Sequence, residues 1–576
     1  MSEITKYFRF SSDVESSFRE LLIELNWKEY SIELNGPLSL NPPNLTWKTS
    51  RYLPFEYNSL NPSKHRINHF PKSYIITKKD SLARCMKRMK QLYPQIYNFT
   101  PITFILPTEN DLLKSYIIQK KKKNKEINNE NMNLISGNSF IFIIKPASSS
   151  RGRGIRLIDC SAIEKNSLSL LLSESKCEFD LLKSLNVNEL SVIQEYIHQP
   201  LLYNGYKCDF RYYVLVTSFK PLKAFVCKYG IVRFSSQKYS LNNLNNQYIH
   251  LTNSSINKKN YHSKINNDEW PQSGKLTFDG FYSLMPNLNR SAIENRCYDI
   301  LLLTLLCAIN DVPIAESSFE LFGFDLMIDE KMNIYLIEVN ASPALAIKCE
   351  VDEIVKKPML KDMIQIIEYD CLIKHSNEKN SKFNSIKKNQ QQFKSLLNQS
   401  SSFQSSFNSS PFISRSNSSV LGSNLTKLND NNQYNNEYEF KHENIGCYQQ
   451  LFPFNNETFR LNEIYLNSIK NKNKNNNENF LFFNQFVRLI IQQIKLRQKL
   501  RKKIAKRKLN CTTNNYYDYE DYEENDNNNN NKKKNDNTWT PVNRNIENNN
   551  KVPNFQSDDE VELLHSPEIK SKNILK

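Results

Sequence analysis

Residues 322–343, FGFDLMIDEKMNIYLIEVNASP, constrain the fold of this chain more than any other stretch. Two apolar runs, Phe324 to Ile328 and Ile334 to Val339, flank the polar Asp329-Glu330-Lys331-Met332-Asn333, a pattern that predicts two strands joined in a hairpin. Asp325, Glu338 and Asn340 interrupt the apolar background, and carboxylates are seldom placed in a buried strand unless something satisfies them. Glu338 and Asn340 are two apart and share a strand face, and an antiparallel partner would bring Asp325 beside them. Three hard oxygen donors on one sheet face suit Mg2+, which takes one or two carboxylates and leaves its other positions to water and nucleotide phosphate. A single half-buried acid at a sheet rim, followed by a turn-forming Asn-Ala-Ser-Pro, fits the local pattern as well. On these residues alone both readings stand.

The chain has 576 residues, long enough for two or three domains, yet only 39% are hydrophobic, so part of the length is predicted to stay unfolded. A net charge of +17 calls for an acidic partner: nucleic acid, an anionic membrane or an acidic protein surface. The eleven cysteines are scattered without a CxxC pair, so the pattern indicates neither a disulfide framework nor a zinc site and predicts a reducing compartment. The opening MSEITKYFRF has no signal-peptide apolar core, and the most apolar run, Ile300 to Ile309, is too short to span a bilayer and predicts a core helix.

Composition divides the chain further. Residues 1–100 mix helix and strand signals, with an amphipathic run at Ser81 to Leu92 and a His69 read as structural. Residues 101–202 hold the strands TFILP, FIFIIKP and SVIQEYI, a helix over 161–172, and a Lys- and Asn-rich insertion (Lys120 to Asn133) predicted as a solvated loop. Residues 203–375 predict strands on either side of Phe219-Lys220-Pro221, a helix from Ala292 to Asn310, the hairpin, and a closing helix from Glu350 to Ile373 that Pro358 should break or kink. Ser, Asn and Gln dominate 376–440, a predicted disordered linker. An apolar island at Tyr448 to Leu466 and a helix at Phe480 to Leu509 make up 441–509, and the low-complexity tail 510–576 is assigned no structure.

Glycine is scarce, eleven in all, and two fall in Ser148-Ser149-Ser150-Arg151-Gly152-Arg153-Gly154, just after Lys145 at the end of an apolar strand. Small residues and glycines let backbone N–H groups wrap phosphate, although the loop is neither a Walker A loop nor GxGxxG. Gln194 and Glu195 end a strand, as a purine hinge or a plain surface strand end would. Lys207, Asp209 and Arg211 alternate and so project from one strand face; leading into a strongly apolar strand, they suggest a cleft floor more than a solvated face. Arg233, Thr252, Asn253 and Lys258 follow apolar strands and are weak signals singly.

In order, KPASSSRGRGI, IQEYI, YKCDFRYYVLVTS, GIVRFSS, HLTNSSINKK, FELFGFDLMID and LIEVNASPAL give a pattern that resembles the tubulin tyrosine ligase-like family, a branch of the ATP-grasp ligases. The resemblance covers about residues 45–370, and SRGRGI, INKK and the upstream NHFPKSYIITKKDSL are most similar to its polyglutamylase branch. It implies an α+β ATP-grasp core with N-terminal, central and C-terminal subdomains, and a ligase that uses ATP and Mg2+ to join free L-glutamate to Glu side chains in the acidic C-terminal tails of tubulin through an acyl phosphate. It further implies that Lys145, Arg151, Gly152, Lys207, Asp209, Thr252 and Asn253 contact ATP and that Gln194, Glu195, Tyr196 and Ile197 form the adenine hinge. By the same resemblance Arg211 would serve the γ-phosphate and acyl phosphate, Arg233, Ser255 and Lys258 would hold the incoming amino acid, and Asp325, Glu338 and Asn340 would bind magnesium, with Arg211, Lys145 and Glu338 as the implied catalytic set. One departure stands out: the family commonly has LTNYS where this chain has Leu251-Thr252-Asn253-Ser254-Ser255. An aromatic near the amino-acid pocket is thereby lost, which bears on amino-acid selectivity.

Ten Lys or Arg and no acid lie between Arg488 and Lys508, with Phe486, Leu489, Leu496, Leu500 and Ile504 on one helical arc. A solvated helix, a calmodulin-type target and a membrane-surface helix all fit this pattern; beside a tubulin-modifying core, a microtubule-contacting helix is expected. Neither nucleic acid nor membrane is expected as partner, and a monomer acting in the cytoplasm, on the cytoskeleton or at a cilium or basal body is predicted. A glycylase of the same family, a ligase for non-tubulin acidic tails and a non-catalytic microtubule-binding protein are the alternatives.

Overall fold

The computed structural model describes residues 5–36, 38, 41–130, 140–150, 152–160, 189–261, 273–399, 444–470 and 476–517. Arg151, the helix predicted over 161–172, most of the predicted linker and nearly all of the low-complexity tail lie outside them. Met1–Lys502 make up one compact unit.

Its spine is the strand Tyr206–Phe219. One edge pairs antiparallel with Ser318–Ile328, and the other is shared by Leu222–Cys227 and Ile231–Lys238. Ser318–Ile328 in turn pairs antiparallel with Ile334–Asn340 and parallel with Arg66–Asn68, which joins the N-terminal strands to a 13-stranded mixed sheet. The spine is apolar at both alternating sets because both sheet faces are covered. Phe210, Tyr212, Val214 and Val216 face the helices Lys79–Leu92 and Arg290–Leu306, whereas Tyr213 and Leu215 face the helix that begins at Glu350. Ile300 to Leu306 are buried all round their helix, as a run apolar on every side requires.

A second, four-stranded antiparallel sheet has the order Thr103–Leu106, Ser191–Glu195, Ile141–Pro146, Arg156–Asp159. One face packs on Leu113 and Ile117 of the helix Asn110–Glu130. The other carries Ile141, Ile143 and Tyr196 against Leu251, so it closes over the charged end of the large sheet.

Several expectations need correction. The insertion at Lys120 to Asn133 is not a loop up to residue 130, because it continues the helix Asn110–Glu130 whose first turns are anchored in the small sheet's core. The closing helix neither stops nor breaks at Pro358 but runs from Glu350 to Gln399, through the first part of the predicted linker. Leu360, Met363, Ile364 and Ile367 hold it on the sheet, and proline removes a single hydrogen bond from it. The predicted segment 441–509 is also joined to the main unit, over its described residues from 444 on. Tyr448–Phe452 adds a strand to the free edge of Leu222–Cys227, and Phe483, Phe486, Val487, Ile490, Ile491 and Ile494 of the helix Asn476–Tyr517 enter the main core. The predicted apolar arc is thus divided: Phe486 is buried and Leu489 packs on the core, while Leu496, Leu500 and Ile504 are exposed. No helix among the described residues is long and apolar enough to cross a membrane.

Candidate active site

The hairpin register places Asp325 directly opposite Glu338 and Gly323 opposite Asn340, so the three side chains singled out in the sequence converge on one face. On the other edge of the same strand Asp325 lies opposite Arg211, whose guanidinium holds both carboxylate oxygens, with Nη2 donating to Oδ2 at 2.9 Å. Gly323 makes room for this fork, since a β-carbon there would sit 3.3 Å from Arg211 Nε. Arg233 donates to both oxygens of Asp209, Nε to Oδ1 at 2.9 Å, and its Nη2 also lies 2.9 Å from Asp325 Oδ2. Burial alone would raise the Asp325 carboxyl, but Arg211 and then Arg233 hold it well below the usual carboxylate range. Glu338 has no such fork. Burial, and then the Asp325 charge, push its pKa up. The Asn340 amide nitrogen is directed at both acids, 3.2 Å from Glu338 Oε1 and 3.3 Å from Asp325 Oδ2.

The small sheet supplies the opposite wall. Lys145 donates to Gln194 Oε1 at 2.9 Å, and the Gln194 amide donates to Thr103 Oγ1 at 2.8 Å, which fixes the strand end that the sequence suggests as a hinge. Lys207 donates to the Tyr196 hydroxyl at 2.7 Å, and its ammonium lies 4.1 Å from that ring's centre. The Tyr196 hydroxyl meets His250 Nδ1 at 3.0 Å and His250 Nε2 meets the Asn243 carbonyl at 3.0 Å. With lysine donating first, the chain is satisfied when Tyr196 donates to a neutral His250 protonated at Nε2, in keeping with the burial that lowers the His250 pKa. Lys145 is lowered to about 8 by burial, and Lys207 to about 7 by burial and then by Lys145. Gly152, at φ +78°, crosses so close to Ile256 that a side chain there would collide, and Asn253 lies alongside.

Lys145, Gly152, Gln194, Glu195, Tyr196, Ile197, Lys207, Asp209, Arg233, Thr252, Asn253, Asp325 and Glu338 line one cleft between the two sheets. Glu195 turns its carboxylate away to Tyr116 and Lys120, so its backbone is the part left to the cleft. Ser255 and Lys258 are exposed on the helix Ser254–Tyr261 and do not line the cleft. Lys79, overlooked in the sequence, does: it donates to the Ser149 carbonyl at 2.6 Å and faces both Lys145 and Glu338. It stands in a run of lysines at a helix start, and no local pattern distinguishes it from its neighbour Lys78.

Lys79, Lys145, Lys207 and Arg233 line the cleft, with Arg211 paired to its Asp325, and give it a cationic wall suited to a polyphosphate. Among the described residues no cluster of three or more His, Cys, Asp or Glu side chains could hold a metal, because the third donor here is an amide. The donor set of Asp325, Glu338 and the Asn340 carbonyl oxygen still fits Mg2+. The half-buried Glu338 carboxylate, which no cation among the described residues pairs directly and whose charge Asp325 disfavours, is what such an ion would satisfy, and the Asn340 amide needs only to turn over.

The sequence profile described as the tubulin-tyrosine ligase family matches residues 58–379, more than half of the chain. The chain belongs to the tubulin-tyrosine ligase family. The match takes in both walls of the cleft. Among relatives, it is 33% identical over 374 residues to a human protein named "Probable tubulin polyglutamylase TTLL2", an alignment covering 64% of this chain and 57% of that protein. The mouse protein of that name is 32% identical over 363 residues, covering 62% and 61%. Human "Tubulin polyglutamylase TTLL5" is 31% identical over 347 residues, covering 57% of this chain and 24% of the relative. This family member therefore spans about three fifths of the length of its TTLL2 relatives.

Proposed function

We propose that the chain is an ATP-dependent tubulin polyglutamylase with an ATP-grasp core. The observation that carries this is that Asp325 and Glu338 line one cleft with the two buried lysines, while Arg211 is paired to Asp325 and the Asn340 amide to both acids, in a member of a family whose relatives here are named polyglutamylases. A carboxylate is a poor electrophile. In this reading an oxygen of the acceptor glutamate's γ-carboxylate attacks the γ-phosphorus of ATP, ADP departs, and the resulting acyl phosphate is attacked by the amine of free L-glutamate. Phosphate leaves, and the amine's proton passes to solvent or to a cleft carboxylate. Lys145, Lys207 and Arg211 hold the phosphates in line and oppose the charge that develops on transfer. Arg151, as the sequence suggests, belongs to the covering loop. Asp325, Glu338 and Asn340 would hold Mg2+, which supplies charge neutralisation between neighbouring phosphates when bound. Arg233 presents a fork suited to an α-carboxylate once Asp209 yields it. Ser255 and Lys258 would need the helix Ser254–Tyr261 to turn in if they are to hold the amino acid. Radiolabelled glutamate, with ATP, should enter microtubules; entry of glycine instead would make the chain a glycylase, and entry of neither into any acidic tail would overturn the ligase reading.

Buried lysines give this cleft a pH signature. Without nucleotide, Lys145 at about 8 and Lys207 at about 7 lie below their unfolded value of about 10.4. The unfolded chain therefore binds more protons, and their contribution to stability rises with pH above about 7. ATP phosphates draw the protons back. ATP affinity should accordingly fall between pH 7 and 9, with proton uptake at pH 8 seen as a binding enthalpy that varies with the buffer's ionisation enthalpy. Binding without proton uptake would count against phosphate contact by either lysine.

The basic helix is the proposed contact with the microtubule, reached through the tubulin substrate. Arg497 and Gln498 are engaged by the buried Asp299, at 2.5 and 2.7 Å. Lys499, Lys502 and Lys503 stay exposed beside Leu496 and Leu500. The triple substitution Lys499→Glu, Lys502→Glu, Lys503→Glu should weaken microtubule co-sedimentation about tenfold or more at low salt, and the gap should narrow as salt rises. Unchanged sedimentation would move the contact elsewhere.

A further inference from the structure

The strand that attaches the C-terminal elements to the main sheet carries a second feature. Asn444–Ile445 and Tyr448–Phe452 form a hairpin whose two-residue loop is Gly446-Cys447, with Ile445 paired to Tyr448 and Gly446 at φ +56°. The Cys447 amide donates to Asp362 Oδ2 at 2.7 Å, which pins the loop to the helix beginning at Glu350. Across the strand pair, Cys227 lies opposite Tyr448, and the Lys228 amide donates to the Cys447 carbonyl at 2.9 Å. The two thiols meet: Cys227 Sγ is 3.5 Å from Cys447 Sγ, and both are free and buried.

We propose that Cys227 and Cys447 are a redox pair, which a peroxide oxidant joins into a disulfide that staples the Tyr448–Phe452 strand to the sheet. The backbone bonds on either side already hold the sulfurs within a side-chain rotation of bonding distance, which is the geometric condition a cross-strand disulfide must meet. One thiolate attacks the peroxide oxygen to give a sulfenic acid and water, and the second thiol displaces a second water as the S–S bond forms. Two thiols thus lose two electrons and two protons, and the peroxide is reduced to two waters. The hydrogen bond from Cys227, and then burial, push the Cys447 thiol up, so the pair is slow while the hairpin is seated and reacts when the loop lifts. A dithiol reductant reverses the link. Closing a loop of more than two hundred residues then restrains the unfolded chain. The Tyr448–Phe452 strand, which precedes the helix carrying the basic stretch, would be tied covalently to the sheet that forms the cleft floor.

The test uses the full-length protein, treated with hydrogen peroxide, alkylated and digested without reduction. Mass spectrometry should find the Cys227 and Cys447 peptides joined, two hydrogens lighter than their sum and separated by dithiothreitol. The thermal midpoint should rise on oxidation and fall back on reduction. Cys447→Ser and, as an independent variant, Cys227→Ala should lose both effects. The proposal is overturned if the two thiols remain alkylatable when Cys349 and Cys371, the half-buried thiols, have reacted. Links only to other cysteines, or a rise in midpoint that persists in the variants, would overturn it as well.

Discussion

Glu338→Gln is expected to abolish glutamate transfer, by about 10³-fold, without loosening the fold. The two halves of this result have separate causes. Activity falls because the amide removes one of two carboxylate charges on the face shared with Asp325 and Asn340, and with it the charge that would hold a divalent cation against phosphates. Stability holds because Glu338 is a liability in the ligand-free protein: burial and the Asp325 charge raise its pKa. A carboxyl raised in the folded state is penalised above its unfolded pKa of about 4.3. The variant should therefore be at least as stable as the parent at pH 7, and its advantage should shrink as pH falls towards 4 and the parent's Glu338 protonates. Urea unfolding at several pH values, beside labelled-glutamate incorporation, checks both halves. Persistent incorporation would remove Glu338 from the reaction. A collapse in stability would mean that it holds the fold together.

The half of the site built from Asp325, Glu338 and Asn340 is local, and that is why it is legible. Period-two alternation sets the faces of the hairpin, the polar turn sets its register, and the charged positions then have one place to go. Lys207, Asp209 and Arg211 follow the same logic on the spine strand. What escaped the sequence is non-local. Lys79 becomes a cleft residue because the loop after Lys145 comes back to it, with Ser149 as the point of contact. Tyr448–Phe452 reads as YQQLF, the start of an apolar island too short and, with two glutamines, too irregular to announce a strand, and becomes one because Leu222–Cys227 has a free edge. The helix past residue 376 has little apolar content of its own and propagates from turns anchored on the sheet. The arc through Phe486, Leu489, Leu496, Leu500 and Ile504 is periodic as read, but periodicity does not say where a helix leaves the core. The structure puts that point after Ile494.

Arg211 has the second large effect, and here activity and stability should fall together. In the proposed reading its guanidinium is shared between structure and chemistry: it forks onto Asp325 from the facing strand, and both groups are buried. Arg211→Ala leaves the Asp325 charge with Arg233 as its remaining cationic partner, and breaking one side of a buried pair costs about 3–5 kcal/mol. Arg233 should hold the loss near the lower end, about 3 kcal/mol. The pH course distinguishes this from a packing defect. Asp325 has a depressed folded pKa, so the stability it contributes is full above its unfolded value of about 3.9 and fades only as pH falls below that. The deficit of the variant should be constant from pH 8 to pH 5. Arg211→Lys separates the roles, since it keeps the charge beside Asp325 but not the two-pronged contact. It should recover most of the stability and yet leave glutamate incorporation about 10²-fold down, because one ammonium cannot hold Asp325 and oppose a transferring phosphoryl group at once. Full activity in Arg211→Lys would show that positive charge, and not the planar fork, is what the cleft floor needs at this position.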